Sequence, residues 1–362
     1  MDPHRVRAVA RRIAAQFRRD RRTLGLLIGA PILILSLVGA LWGSTTSQRA
    51  RVLVISPIAG VPPVLAERLV QGLRSSSGMD VSTGAADDGR QLLEGGSVDA
   101  VVSARLGPTN SVEVAIEIEG SDALRNGSTL QLIQQGVLRA LGTTSGAPPL
   151  QVTYLHGGAD YSLLDYLAPL LIGLFAFFFT FLLSTVSFLR ERTSGTLERL
   201  MATPLRRGEL VLGYLAGFSL FALIQAAVII AFTVLVLRVK YTGNVGAIFL
   251  IEAMLVIVSV ALGLFISAFA RTELQAVQFI PVVLLPQVFL SGLLVPIDQL
   301  PDVLRPIAVV LPLTYSNEAL RAVMIRGFAL TDPLILKDLA ALAAFGAVTI
   351  AGAVASIRRE VA

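Results

Sequence analysis

Apolar residues along this chain form long uninterrupted stretches, separated by short segments rich in charge, glycine or proline. Six stretches are long enough, or nearly so, to cross a hydrocarbon core of about 30 Å, which takes ~20 apolar residues in an α-helix. They occupy residues 24–42, 163–189, 210–237, 245–270, 274–295 and 333–357. The pattern therefore predicts six transmembrane helices.

Residues 43–158, between the first two stretches, follow a different pattern. Short apolar or alternating runs there indicate half-buried strands, and wider apolar spacing indicates helices. Strands are predicted at residues 51–55, 79–83, 98–103 and 111–119. Helices are predicted at residues 63–74, 87–94 and 122–141. We expect one small α/β domain with its own core, followed by a linker at 142–158 rich in Gly, Pro and Thr.

The first 23 residues carry eight arginines against two acids and lead into the first apolar stretch. Three interpretations are open: a cytosolic basic arm with a retained span, a cleaved signal peptide, or a twin-arginine signal through Arg21 and Arg22. The apolar run is long for a signal peptide, and no clean small-x-small cleavage site follows it. We therefore expect a cytosolic arm at 1–23 and a retained first span at 24–42.

The charged segment at residues 190–209 lies between the second and third stretches and reads RERTSGTLERLMATPLRRGE. Polar backbone cannot face lipid, so this segment must face water beside the membrane. Thr193 or Ser194 can cap a short helix there, and Pro204 can stop it. One side of this helix is apolar and carries Leu197, Leu200 and Met201. A simple solvated loop would need none of these features, so we interpret the segment as a docking helix.

Residues 296–332 combine prolines with apolar pieces that are too short to span a membrane. Such a segment is expected to dip into the outer leaflet or lie on it, buried against protein. Its prolines are Pro296, Pro301, Pro306 and Pro312. Glu318 and Arg321 follow on a predicted short helix, where their spacing predicts an ion pair.

Composition and charge fit a multi-pass membrane protein, with 54% hydrophobic and 15% charged residues and a mean hydropathy of +0.73. The net charge of +5 comes almost entirely from arginines beside the spans. This positive-inside pattern places both termini in the cytosol and the α/β domain outside, and it argues against nucleic-acid binding. The chain has no cysteine, which excludes disulfides and thiolate metal sites.

Motifs for catalysis are missing from the sequence. There is no G-x-x-x-x-G-K-[ST] loop, and the only lysines are Lys240 and Lys337, so no ATP hydrolysis is expected in this chain. No G-x-S-x-G or H-E-x-x-H motif occurs either, and His4 and His156 are far apart. We predict no catalytic residue and no metal ligand.

Polar residues inside the predicted spans have two interpretations. The glutamines either line a transport path or hydrogen-bond between helices, and the sequence favours neither. The single carboxylate either contacts substrate or, as we favour, lies near the outer interface or in a salt bridge. These candidates are Gln225, Glu252, Gln275, Gln278 and Gln287. Pro281 and Pro286 are expected to break the fifth span, as a hinge or as a kink.

Two segments carry a resemblance to a known family. The order of a span, the segment RERTSGTLERLMATPLRRGEL and another span resembles the permease of the ATP-binding-cassette (ABC) type-2 exporter family. Residues 278–323, QFIPVVLLPQVFLSGLLVPIDQLPDVLRPIAVVLPLTYSNEALRAV, resemble that family's fifth span and outer re-entrant hairpin. Together they cover about a third of the chain. The large domain between the first two spans is similar to that of one branch of the family.

The resemblance implies a membrane all-α bundle of six transmembrane helices with an inserted small α/β extracytoplasmic domain. The second span would occupy 159–189, and the remaining four would lie in 210–362, with the hairpin at 296–332. Export would be driven by two copies of a cytosolic ABC ATPase subunit, which bind ATP and magnesium, so this chain itself would need no cofactor. The implied ATPase-coupling residues are Glu191, Thr193, Gly195, Thr196, Leu197, Glu198, Leu200, Met201 and Pro204.

We expect the chain to dimerise with itself or with a sister permease. The path for an amphipathic or lipid-like substrate is then expected to lie at the interface. The preference for Arg over Lys and the richness in Ala, Gly and Val suggest a bacterial inner membrane. The alternative is a membrane-anchored extracytoplasmic binding or signalling protein. A sensor would be expected to carry a cytosolic signalling domain, and the sequence predicts none.

Overall fold

The computed structural model describes residues 2–41, 50–55, 62–76, 78–106, 112–121, 123–141, 150–157, 161–293, 297 and 300–356. The chain divides into two compact units. The first contains Met1–Leu41 and Leu167–Ala362, and the second contains Trp42–Tyr166.

Helices and strands of the described residues are numbered here in chain order. The helices are α1 (Pro3–Arg19), α2 (Arg21–Leu41), α3 (Pro63–Arg74), α4 (Ala86–Glu94), α5 (Ala123–Leu141), α6 (Leu163–Thr193), α7 (Thr196–Met201), α8 (Arg207–Ala231), α9 (Val245–Ser267), α10 (Glu273–Leu290), α11 (Arg305–Val310), α12 (Pro312–Met324) and α13 (Pro333–Ser356). The strands are β1 (Ala50–Ile55), β2 (Met79–Gly84), β3 (Ala100–Leu106), β4 (Val112–Ile118) and β5 (Leu150–Tyr154). A π-helical turn, Phe232–Val236, extends α8.

Among the described residues, five helices are long and apolar enough to cross a membrane: α6, α8 with its π-helical turn, α9, α10 and α13. They coincide with the second to sixth predicted spans. The first predicted span, 24–42, coincides with α2, in which Leu27–Ser36 is the apolar piece among the residues whose side chains are described. A sixth crossing therefore stays a prediction.

Helix α10 runs without interruption through Pro281 and Pro286. Neither proline therefore interrupts the helix, while a hinge or a kink at these positions stays a prediction. A proline removes one backbone hydrogen bond, but opening the helix within hydrocarbon would leave further N–H and C=O groups unpaired. The continuous helix is therefore the better arrangement at these positions.

Helices α11 and α12 occupy the segment predicted as a hairpin. Pro306 lies in the first turn of α11, Pro312 begins α12, and Pro301 precedes α11 in a turn. Pro296 lies outside the described residues. Most of α12 is buried, including Leu313, Leu320 and Val323. The carboxylate of Glu318 lies 3.4 Å from the Nζ of Lys337 on α13, while the predicted pair with Arg321 stays a prediction.

The second unit contains a five-stranded sheet in the order β2-β1-β3-β4-β5. Strands β3 and β4 pair antiparallel, and the other neighbours pair parallel. Helices α3 and α5 pack on one face, where a buried cluster forms the core of this unit. Its sheet residues include Val52, Val102 and Ile116, and its helical residues include Leu73 and Ile133.

Strand β5 corrects the predicted linker at 142–158. It pairs parallel with β4, with Val152 opposite Ile116. Because parallel neighbours need a crossover, α5 and β5 together complete a β-α-β unit that begins at β4. The strand is not predicted from the sequence, because it has only five residues and follows a stretch rich in Gly and Pro that indicates a linker.

Helix α1 lies along the first turns of α8, and no helix is predicted there from the sequence. Buried Val9 faces Gly213, and buried Ile13 faces Gly217. Both pairs advance by four residues in the same direction, so the two helices run parallel. A Cβ atom on Gly217 would lie 2.7 Å from the Cβ of Ile13, and one on Gly213 would lie 2.6 Å from the Cβ of Val9. Only glycine allows this approach. The arginines of α1 dominate its composition and conceal the apolar side.

We expect Gly217→Ala to loosen α1 from α8, because the added methyl group has no room and overpacking typically costs about 1–3 kcal/mol. Release of α1 would make Arg7 and Arg11 easier for trypsin to reach, which limited proteolysis of the purified chain measures. Gly29→Ala on α2 is the matched control, since its Cβ would meet nothing within 4 Å. Equal cleavage rates in both variants would contradict the tight α1–α8 contact.

Candidate functional site

The short helix α7 lies between α6 and α8, and a glycine sets its start. Gly195 has a φ of 68°, in the left-handed region that glycine adopts without steric cost. The predicted cap at Thr193 or Ser194 is wrong, because both hydroxyls donate to carbonyl oxygens of α6 instead. The helix ends at Met201, shortly before Pro204, as predicted.

The two sides of α7 have different environments. Leu197 is buried against its own chain, and Leu200 and Met201 are half-buried. Glu198 and Arg199 are exposed. The apolar side of α7 is therefore largely occupied within the chain, so Leu197 is not free to fill a groove on a partner. The charged side is free to contact another molecule.

A cleft of about 1330 Å³ borders the buried side of α7. Leu197, Met201 and Pro204 contribute to its wall on the α7 side. The C-terminal ends of α9 and α13 form another part of the wall, through Phe265, Ala268, Gly352, Ala355 and Ser356. A displacement of α7 would therefore change the space between α7 and two spanning helices.

Glu191, near the end of α6, is also turned inward. It is 5% exposed, and its Oε2 accepts hydrogen bonds from Nη2 of Arg12 at 2.7 Å and from the hydroxyl of Tyr214 at 3.1 Å. Phe188 packs edge-on against the Tyr214 ring, with centroids 4.9 Å apart. The structure thus places Glu191 inside the chain, where it joins α6 to α1 and α8 rather than facing a partner.

The charge of Arg12 is secure in this setting. Partial burial disfavours the guanidinium, but hydrogen bonds to Glu191 and Tyr214 outweigh that cost, so the pKa of Arg12 is raised above its ordinary value. A hydrogen bond between two ionised groups is stronger than one between neutral groups. The Arg12 guanidinium therefore remains charged beside the carboxylate of Glu191.

A second anchor lies on the other side of α7. Buried Glu209 accepts hydrogen bonds from the backbone N–H of Asp2 at 2.7 Å and of Arg206 at 3.0 Å. Arg5 pairs with Glu209 at 3.7 Å and donates a hydrogen bond to the carbonyl oxygen of Pro204. Helix α1 therefore holds the chain both before and after α7. Sequence reasoning missed this role, although Val6, Val9 and Ile13 recur at helical spacing.

The intramembrane glutamines separate into two groups. Gln225 is fully buried and its Oε1 accepts a hydrogen bond from Thr180 of α6 at 3.3 Å, while Gln287 accepts one from the backbone N–H of Leu313 at 3.2 Å. These contacts are hydrogen bonds between helices, which is one of the two interpretations that the sequence leaves open. Gln275 and Gln278 instead lie exposed near the start of α10.

Glu252 is fully buried in α9. Within the part of the chain that the structure describes, neither of its carboxylate oxygens has a hydrogen-bond partner. The predicted salt bridge of Glu252 is therefore wrong, while its position near the outer interface stays a prediction. The same described ranges contain no group of three or more His, Asp and Glu side chains placed to hold a metal ion.

Comparison with known proteins identifies relatives over most of the chain. Residues 21–355 match a family described as "ABC-2 family transporter protein". "ABC transporter G family member 20" of Dictyostelium discoideum is 32% identical over 176 residues, which are 49% of this chain and 24% of that protein. "Probable multidrug ABC transporter permease YbhS" of Escherichia coli K12 is 28% identical over 147 residues, 40% of this chain and 39% of that protein.

A third relative carries a resistance function in its name. "Linearmycin resistance permease protein LnrN" of Bacillus subtilis is 28% identical over 170 residues, 47% of this chain and 43% of that protein. The matched stretch covers less than half the length of each of these three relatives.

We expect Arg12→Met to lower the thermal midpoint of the purified chain by several degrees, because it leaves the Glu191 carboxylate buried without its cation. Adding Glu191→Gln to Arg12→Met should recover part of that loss, since the stranded charge is then removed. Arg11→Met, at an exposed neighbouring position, is the control and should leave the midpoint nearly unchanged. If the thermal midpoint of the double variant fell by the sum of the losses of Arg12→Met and Glu191→Gln, the ion pair between Arg12 and Glu191 would be contradicted.

Proposed function

The chain belongs to the ABC-2 family of transporter proteins, and we propose that it is the permease subunit of an exporter driven by a separate ATPase subunit. The observation that carries this proposal is α7. It exposes Glu198 and Arg199 between two spanning helices, while its buried side rests on its own chain. A short helix with an exposed charged side can bind a soluble subunit and transmit the movement of that subunit to the adjoining spanning helices.

Coupling would start with a push on α7. Two cytosolic ATPase subunits that close around ATP and magnesium would move α7 toward the cleft beneath it. The bonds of Glu191 and Glu209 tie the chain on both sides of α7 to α1, so α6, α1 and α8 would tilt together. The work comes from binding free energy in the partner, and this chain converts it into movement of spanning helices.

The functional unit would be a dimer of this chain with itself or with a sister permease. Helix α10 is poorly covered by the rest of the chain and exposes Leu274, Val282 and Phe289. Side chains of this type face either lipid or another spanning helix. A path between two copies would give a bulky substrate the room that one bundle lacks.

The substrate class would be amphipathic or lipid-like: a drug, an antibiotic, a lipid or a lipid-linked molecule. The names of the relatives support this class, because one is a probable multidrug permease and another a linearmycin resistance permease. Exposed Gln278 on α10 remains a candidate for the path. Gln225 and Gln287 serve the bundle through their hydrogen bonds.

Orientation follows the distribution of arginine. The permease would lie in the plasma membrane, in bacteria the inner membrane, with both termini and α7 in the cytosol. The unit with the five-stranded sheet would lie outside. This arrangement brings α7 to the ATPase side and leaves the sheet unit to meet extracytoplasmic molecules.

Replacing Glu198 and Leu200 together by arginine is expected to abolish co-purification with the ATPase and to stop transport, because it reverses the exposed charge of Glu198 and adds a second charge beside it. Ala15→Arg with Gln16→Arg is the matched control, since it adds arginines at exposed positions of α1. Retained co-purification and transport in the α7 variant would rule out the docking role.

Sidedness can be measured directly because the native chain has no cysteine. We expect a single cysteine at Arg199→Cys to react with a membrane-impermeant maleimide only after cells are opened. Ser82→Cys, at an exposed position of β2, should react in intact spheroplasts. Labelling of both positions from the same side of the membrane would contradict the proposed orientation.

A further inference from the structure

A second cleft, of about 440 Å³, lies at the start of α10. It is lined by Phe269, Arg271, Gln275, Gln278, Phe279 and Val282. We propose that this cleft binds an anionic phospholipid, with the phosphate at Arg271 and the acyl chain along Phe279 and Val282. The assignment of this lipid to the cytosolic leaflet rests on the proposed orientation, but the site itself does not.

The lining of the cleft changes from polar to apolar along a single helix face. Gln275, Gln278, Phe279 and Val282 are spaced by three and four residues, so they share one side of α10. The polar pair lies in the first two turns, and the apolar pair lies deeper in the spanning helix. A phospholipid has the same order of groups from its headgroup to its acyl chain.

The cleft carries one positive charge in its lining, the guanidinium of Arg271. Among the described residues, the guanidinium of Arg271 forms no ion pair or hydrogen bond. The nearest acid in sequence, Glu273, is bonded to Arg190 at 3.2 Å, and Arg192 donates to the carbonyl oxygen of Ser267 at 2.8 Å. An incoming phosphate would therefore meet a guanidinium that no carboxylate of the described residues already binds.

Amide groups add hydrogen-bond donors beside Arg271. The Oε1 of Gln275 accepts a hydrogen bond from the backbone N–H of Arg271 at 2.8 Å. This contact fixes the side chain with its NH₂ group available to donate. Gln278, one turn further on, brings a second exposed amide. Guanidinium and amide donors together match the several acceptor oxygens of a phosphate diester.

Aromatic exposure favours a lipid over a free anion. Phe269 is 59% exposed and packs edge-on against Phe265, with ring centroids 5.2 Å apart. Its open face stands beside Arg271, and both residues also line the larger cleft beneath α7. Inorganic phosphate would leave this apolar surface in water, whereas an acyl chain would cover it. Because Val282 lies within the span, a soluble protein could not reach the deeper wall.

The test measures lipid retained by the purified full chain, using native mass spectrometry in mixed micelles. Dioleoyl phosphatidylglycerol and dioleoyl phosphatidylcholine are the two probes, since they differ in net charge and share their acyl chains. We expect about tenfold preferential retention of phosphatidylglycerol, the size of one charge-assisted contact. Arg271→Gln should abolish the preference. Arg207→Gln, which removes an exposed arginine outside both clefts, should preserve it.

Each alternative has its own outcome. An equal loss in Arg271→Gln and Arg207→Gln would mean that net charge alone attracts the lipid, and would overturn the site. Glycerol phosphate that competes as well as phosphatidylglycerol would show a free-anion site without an acyl component. Unchanged lipid retention in Arg271→Gln, together with lost co-purification of the ATPase, would assign Arg271 to the partner interface. That last result would overturn the lipid site while leaving the proposed exporter function in place.

Discussion

The buried carboxylate of Glu191 is the group that joins α6, α1 and α8. A carboxylate removed from water is costly unless a cation and hydrogen bonds compensate it, and Arg12 and Tyr214 provide both. These three residues belong to α6, α1 and α8. Helices α6 and α1 cannot separate without stranding a charge, and α8 cannot move away without losing the hydrogen bond of Tyr214. A force applied between α6 and α8 therefore acts on all three helices.

Close packing reinforces this electrostatic contact. The glycines at 213 and 217 bring α1 against α8 so closely that a single added methyl group would collide. Contacts between packed surfaces of this kind shift between discrete arrangements rather than deform gradually. The open space in this region is instead the cleft beneath α7. Movement of α7 would thus close open space first and transmit force through the rigid α1–α8 pair afterwards.

The sequence predicts the parts of the fold that depend on local pattern. Five spanning helices follow from apolar length, and β1 to β4 follow from short apolar or alternating runs, because each signal lies within the element itself. The contacts that define the candidate site are not local. Arg12 and Glu191 are 179 residues apart, and the local sequence around either residue does not indicate that the two form an ion pair. The cap of α7 is a similar case. The sequence favours the hydroxyls of Thr193 and Ser194 over Gly195, because it shows which residues can cap a helix but not which φ the turn requires.

Polar residues within the spans show the same division between local and tertiary information. All the glutamines look alike in the sequence, but their neighbours give them different roles. Gln225 and Gln287 satisfy hydrogen bonds between helices, so withdrawing either for a substrate would break a bond in a low-dielectric interior. Gln275 and Gln278 lie on the exposed side of α10, where a passing amphipathic molecule would meet them without that cost. This side of α10 therefore combines available polar groups with an apolar continuation, and the same physical match applies to a resident phospholipid and to an amphipathic substrate.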